Sequence, residues 1–150
     1  MSSDSESAAV DLQRFVDAQA PVFDAVLSEL TAGRKRTHWM WFVFPQLEGL
    51  GLSPTARFFG IASRHEALAY WRHPVLGPRL KRCTSLVLAV PGKSAHEIFG
   101  APDEWKLRSC MTLFAAVVPD EPVFRAVIDR FFGGQPDPRT LALLGRPGGG

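Results

Sequence analysis

Two clusters in this chain combine residue types and spacings that could do chemistry. The first is Lys35-Arg36-Thr37-His38-Trp39-Met40-Trp41, continuing to Phe44-Pro45-Gln46. A planar Arg36 fork, a Lys35 point charge and the His38 ring could hold phosphate or carboxylate groups. Trp39 or Trp41 could stack on a base or sugar face, with the Gln46 amide beside them. The plainer account makes the tryptophans core and the cations a solvated helix end.

The second cluster is Asp103-Glu104-Trp105-Lys106 followed by Arg108-Ser109-Cys110-Met111-Thr112. Asp103 and Lys106 lie three apart, so on a helix they meet on one face. If that face is buried, Asp103 could orient Lys106 or serve as an acid/base. Ser109 and Thr112 repeat the same spacing. A structural ion pair with helix hydroxyls is the plain alternative. His73-Pro74, beside Arg72, adds a histidine at a helix exit, where capping is its commoner role.

Other routes to function are closed by the sequence. There is no phosphate-binding glycine loop, no dinucleotide fingerprint, no His-Glu-x-x-His and no serine elbow, so no cofactor is expected. The four histidines, His38, His65, His73 and His96, have no metal-ligand spacing, and no metal site is expected. Cys83 and Cys110 read as two free, buried thiols; no histidine is placed by sequence beside Cys110 to make it a nucleophile. A balance of 17 Lys and Arg against 15 Asp and Glu argues against nucleic acid as a partner.

At 150 residues and 46% hydrophobic, the chain can build one domain with a real core. Residues 1–10 read as a disordered leader, 11–144 as a single all-α domain and 145–150 as a flexible tail. With no secretion signal and no run of roughly 18 apolar residues, a cytoplasmic protein with no membrane contact is expected. Oligomeric state is left open.

The positioning elements follow from stop and start signals. Leu12, Phe15, Val16 and Gln19 fall at helical spacing. Pro21 opens a second helix with Val26, Leu27 and Leu30 on its apolar face, and Gly33 stops it. The block 39–44 could be a buried strand or a short helix, although no partner strand is evident. Ser53-Pro54, the capping boxes Ser63 to Glu66 and Ser94 to Glu97, Pro102-Asp103 and Asp137-Pro138 all mark helix starts. Pro122 to Val127 echoes Pro21 to Val26, a match that start and stop rules alone generate. The count is seven or eight short helices, a compact irregular all-α bundle.

These motifs also carry a resemblance. Gly33-x-Lys35-x-x-His38-Trp39-Met40-Trp41-x-x-Phe44-Pro45-Gln46, then His73-Pro74-Val75-Leu76-Gly77, then Phe99-Gly100-x-x-Asp103-x-x-Lys106-x-x-Ser109-Cys110-Met111-Thr112 closely resemble the bacterial family of domain of unknown function 1810. The resemblance runs from about Asp11 to Leu144 and implies a compact all-α fold without an assigned biochemical role. Cys110 stands where that family more usually has a serine, which argues against a cysteine nucleophile. A more distant similarity to the NADAR group implies ligands of the ADP-ribose kind.

The functional expectation is a pocket for an anionic, phosphorylated or nucleotide-like small molecule, with hydrolysis of an ADP-ribose N-glycosidic linkage as its chemical extension. Lys35, Arg36, Trp39, Trp41, Gln46, His73 and Ser109 would bind; Asp103, Lys106 and His38 would handle protons. The alternative is a non-enzymatic binding or protein-interaction module, which would show an exposed apolar patch instead of a polar cluster.

Overall fold

The computed structural model describes residues 12–145; the leader over 1–10 and the tail beyond Gly145 lie outside the described residues. Ten helices appear among them, against the seven or eight expected: α1 Gln13–Gln19, α2 Phe23–Ala32, α3 Met40–Val43, α4 Pro54–Phe58, α5 Arg64–Arg72, α6 Leu76–Ala89, α7 Ala95–Phe99, α8 Asp103–Val117, α9 Pro122–Phe131 and α10 Pro138–Leu144. Three of the ten, α3, α4 and α7, are pieces of one turn or little more. Apolar periodicity is weakest over such short runs. The 39–44 block resolves as the helical turn α3. No strand partners it: among the described residues, β pairing is limited to one isolated parallel bridge, Leu47 to Ile61.

Two long helices organise the packing. α8 contacts α5, α7, α9 and α10, while α6 contacts α2, α5 and α9, so α5 and α9 join the two sets. From Ser109 to Phe114 every residue of α8 is buried, as expected of a helix surrounded by others. Aromatic contacts run through the middle of the molecule: Phe15 meets Tyr70 at 5.1 Å, Tyr70 meets Phe114 at 5.6 Å, and Phe114 meets Phe124 at 5.5 Å between centroids. One apolar thread thereby links α1, α5, α8 and α9.

Most caps form where the sequence marks them. Ser53, Ser94 and Asp137 accept the N–H of Ala56, Glu97 and Thr140 respectively. The box at Ser94 is complete, since the Glu97 carboxylate accepts the Ser94 N–H in return. At Ser63 only half forms. The hydroxyl caps Glu66, but the Glu66 carboxylate accepts instead from the Ala62 N–H at 2.9 Å and from Arg14 at 3.3 Å. Pro21 likewise falls outside α2, in the turn that precedes it. Pro122 is the true first-turn proline, so the two echoing segments start their helices differently. No helix among the described residues is long and apolar enough to cross a membrane.

Candidate functional site

The basic loop after α2 is held by one carboxylate. Gly33 caps α2 in the left-handed region at φ 72°, turning the chain sharply at the helix end. Glu29, one turn earlier, accepts the N–H of Arg36 at 2.7 Å, the N–H of Thr37 at 3.1 Å and the Trp39 indole N–H at 2.9 Å on Oε1. Its Oε2 accepts the Thr37 hydroxyl at 2.7 Å. Burial pushes the Glu29 carboxyl upward, but the donors from Arg36, Thr37 and Trp39 outweigh it and bring it down to about 2. The carboxylate stays ionised because it is the common acceptor of the loop.

That anchored loop presents Lys35 to α8. Lys35 Nζ pairs with Asp103 Oδ2 at 2.8 Å, donates to the Thr37 carbonyl at 2.6 Å and lies 5.1 Å from the Trp39 ring centroid. The backbone N–H of Lys35 also donates to the Ile98 carbonyl, tying the loop to α7. The Lys35 side chain is only 8% exposed. The other oxygen of Asp103 faces Lys106 at 3.7 Å, and Lys106 Nζ sits 4.7 Å from the centre of the Trp41 ring. The two sequence clusters therefore converge as a chain of charges: Lys35, Asp103, Lys106.

Lys106 in turn lines a cleft of about 240 Å³ between α8, the 46–51 loop and the start of α10. Gln46, Trp105, Ser109, Asp137 and Arg139 share its walls with Arg108. A polar stripe on α8 brings in the distant wall. Arg108 donates to the carbonyls of Gln135 and Pro136 at 2.8 and 2.9 Å, Ser109 donates to Asp137 Oδ2 at 3.1 Å, and Thr112 Oγ1 accepts the Asp137 N–H at 2.9 Å. Gln46 is positioned from the opposite side, where its carbonyl accepts the Ile61 N–H at 2.9 Å. Three cations and one carboxylate thus surround the opening, an arrangement that favours an anionic guest.

The sequence-predicted residues divide into three groups. Lys106, Ser109 and Gln46 reach the cleft, and Trp41 borders it through a small adjoining recess that also contains Gln46 and Lys106. Lys35 and Asp103 stand behind Lys106 as an ion pair. The remaining four are placed otherwise. Trp39 is fully buried, so no face of its ring is open to a ligand. Arg36 is exposed and contributes its backbone N–H to Glu29. His38 is exposed and joins the Asp103 group through no hydrogen bond or ion pair. His73 Nδ1 accepts the N–H groups of Val75 and Leu76 at 3.1 and 3.3 Å, capping the start of α6.

Sequence reasoning missed Arg139, Arg108 and Asp137 as site residues. Asp137 was legible as the cap of α10, but nothing in the spacing indicates that this cap meets Ser109 and Thr112. Both thiols are buried, Cys83 pushed up to about 12 and Cys110 also raised by burial, and both are suited to packing and not to nucleophilic attack. Among the described residues no group of three or more His, Cys, Asp or Glu could hold a metal.

A larger cavity of about 390 Å³ lies between α8, α9 and α10, lined by residues such as Ala115, Ile128, Pro136 and Leu141. Its charged groups are already matched, Glu121 with Lys81 at 3.0 Å and Arg125 with Asp129 at 3.1 Å. The smaller cleft is the stronger candidate because its polar groups are not all committed.

Residues 9–144 match the family described as "Protein of unknown function (DUF1810)". The fold superposes on the crystal structure of the conserved hypothetical protein Rv1873 from Mycobacterium tuberculosis with a TM-score of 0.90. Sequence identity is 57%, over 91% of this chain and 98% of that one. No curated protein matches the chain. On a match that spans nearly every element described above, and on the motif from Gly33 to Gln46 that positions Lys35, the chain belongs to the DUF1810 family.

Proposed function

We propose that the cleft beside Lys106 binds a small phosphorylated or nucleotide-like anion. The observation that carries this is that Lys106 and Arg139 line one cleft. Lys106 is held in place by Asp103 and the Trp41 ring, and Arg139 has no hydrogen bond or ion pair among the described residues. Two cations with donor capacity to spare, facing one concavity, suit a phosphate better than a single lysine on a surface would. Trp105, which is 53% exposed, offers a flat apolar wall for an attached ring.

Binding is better supported than hydrolysis. Cleavage of an ADP-ribose N-glycosidic linkage calls for a carboxylate placed against the developing cation. The Asp103 carboxylate is engaged by two lysines, and Asp137 commits Oδ2 to Ser109 and Thr140 and keeps only Oδ1 open. The volume also falls just below the roughly 300–1,000 Å³ of pockets for drug-sized ligands. One phosphorylated moiety fits; the whole of ADP-ribose would extend outside. A pure interaction module would leave this polar cluster without a purpose, although Leu52 and Phe58 are 77% and 59% exposed.

The test is a titration followed by tryptophan fluorescence, with AMP, pyrophosphate and ADP-ribose as probes at low salt. Saturable binding is expected, weakened by about tenfold to a hundredfold in Lys106→Met, as loss of one charged hydrogen bond implies. Absence of saturation by every probe up to ~1 mM, the equivalent of about −4 kcal/mol, would overturn the proposal. Release of ADP-ribose from a conjugate, followed by chromatography, tests the hydrolytic extension separately.

A further inference from the structure

The anionic end is only half of what the cleft can recognise. Asp137 spends Oδ2 on Ser109, on the N–H of Thr140 at 3.1 Å and on the Thr140 hydroxyl at 2.5 Å, while Oδ1 accepts no hydrogen bond from a described residue. Gln46 lines the same cleft, and its side-chain amide likewise makes no hydrogen bond among the described residues. The partly buried Asp137 and Gln46 therefore line the same small cleft as the Lys106 and Arg139 cations.

A carboxylate in the wall disfavours a fully ionised phosphate, because like charges repel. Carboxylate and amide acceptors match hydroxyl donors, and the amide's two N–H groups match hydroxyl lone pairs. The Asp137 carboxylate is also fixed in place. Arg108 and Thr112 hold its backbone turn and Ser109 its side chain, so little freedom is lost when a hydroxyl docks.

We infer that the ligand is a phosphorylated sugar of about pentose size, its phosphate on Lys106 and Arg139 and its hydroxyls on Asp137 Oδ1 and Gln46. This rests on the anion-binding reading above and narrows it to a polyhydroxylated phosphate ester. It also assigns Asp137 and Gln46 as specificity-determining residues, separate from the cations that supply the charge recognition.

Isothermal titration of the full chain with ribose 5-phosphate and with n-pentyl phosphate separates the two levels. The probes share a phosphate ester on a five-carbon frame and differ in hydroxyls. Ribose 5-phosphate is expected to bind roughly tenfold tighter. Asp137→Asn, which can still cap α10, and Gln46→Leu should each shrink the ratio between the two affinities, and a ratio unchanged in both variants would count against the sugar assignment. Equal affinity for the two probes, both weakened by Lys106→Met, would overturn the sugar assignment and leave the anion site standing. No binding of either probe, with inorganic phosphate also silent, would overturn the anion site and this inference together.

Discussion

Glu29→Ala should lower the stability of the fold by about 3–4 kcal/mol in urea unfolding at neutral pH, the range for breaking a buried hydrogen-bond network. The substitution deletes the common acceptor of Arg36, Thr37 and Trp39 and leaves the indole N–H of a fully buried tryptophan without a partner. Glu29→Gln keeps the shape and one acceptor oxygen but removes the charge and turns an N–H₂ group toward donors, so a loss of about 2–3 kcal/mol is expected.

The same carboxylate sets a pH dependence whose sign follows from its direction. Its folded value of about 2 lies below the ordinary 4.5, so its contribution is fully present above pH 4.5 and is lost as pH falls toward 2. The amount is about 2–3 kcal/mol after discounting for partial solvent access. The stability difference between wild type and Glu29→Gln should therefore narrow on acidification through that window. Parallel stability profiles for the two proteins between pH 6 and 3, within about 0.5 kcal/mol, would show that the carboxylate charge does not anchor the loop. Because this loop carries Lys35, ligand affinity at the cleft should fall in the same variants.

Asp103→Ala is expected to cost about 2–4 kcal/mol, by a different mechanism. It strands the Lys35 ammonium, 8% exposed, with only the Thr37 carbonyl and the Trp39 ring for compensation. Lys35→Met alone should cost less, since Asp103 is nearer solvent and keeps Lys106. In the double variant the buried Lys35 charge is gone and only the more exposed Lys106 lacks its carboxylate, so its loss should be smaller than the sum of the singles by about 1 kcal/mol or more. Additive losses would mean that the two groups do not depend on each other. Binding supplies an independent readout. Asp103→Ala also frees Lys106 from its anchor, so it should weaken phosphate probes, whereas Lys35→Met, which leaves the Asp103–Lys106 contact in place, should weaken them less.

Most helical starts were legible where a short polar residue or proline stands before an apolar run, with Pro21, left in the turn before α2, the exception. Ser53, Ser94, Pro102, Glu121-Pro122 and Asp137 all sit at the boundaries they announce. Ser63 shows the limit of such signals. Its motif is as good as that of Ser94, yet Glu66 turns to Arg14, a residue more than 50 positions away, because a long-range cation competes with a local N–H. Trp39 and Trp41 show it again. They are neighbours in an aromatic run, and only packing makes one a fully buried partner of Glu29 and the other the rest beneath Lys106.

Residue types and spacing alone establish an all-α chain, its family, and the two clusters whose spacing could carry charge chemistry. Those properties depend on contacts within a helical turn, or on a motif read residue by residue. Tertiary packing alone settles that Lys35 pairs with Asp103, that His73 is a cap, and that Asp137 and Arg139 line one cleft with Lys106. The physical reason is that these outcomes are competitions between partners far apart in the chain. A lysine's role is settled by which carboxylate burial brings nearest, and the approach of α10 to α8 is settled by side chains, Arg108, Ser109 and Thr112, whose spacing along the helix is the same whether or not a partner lies across from them.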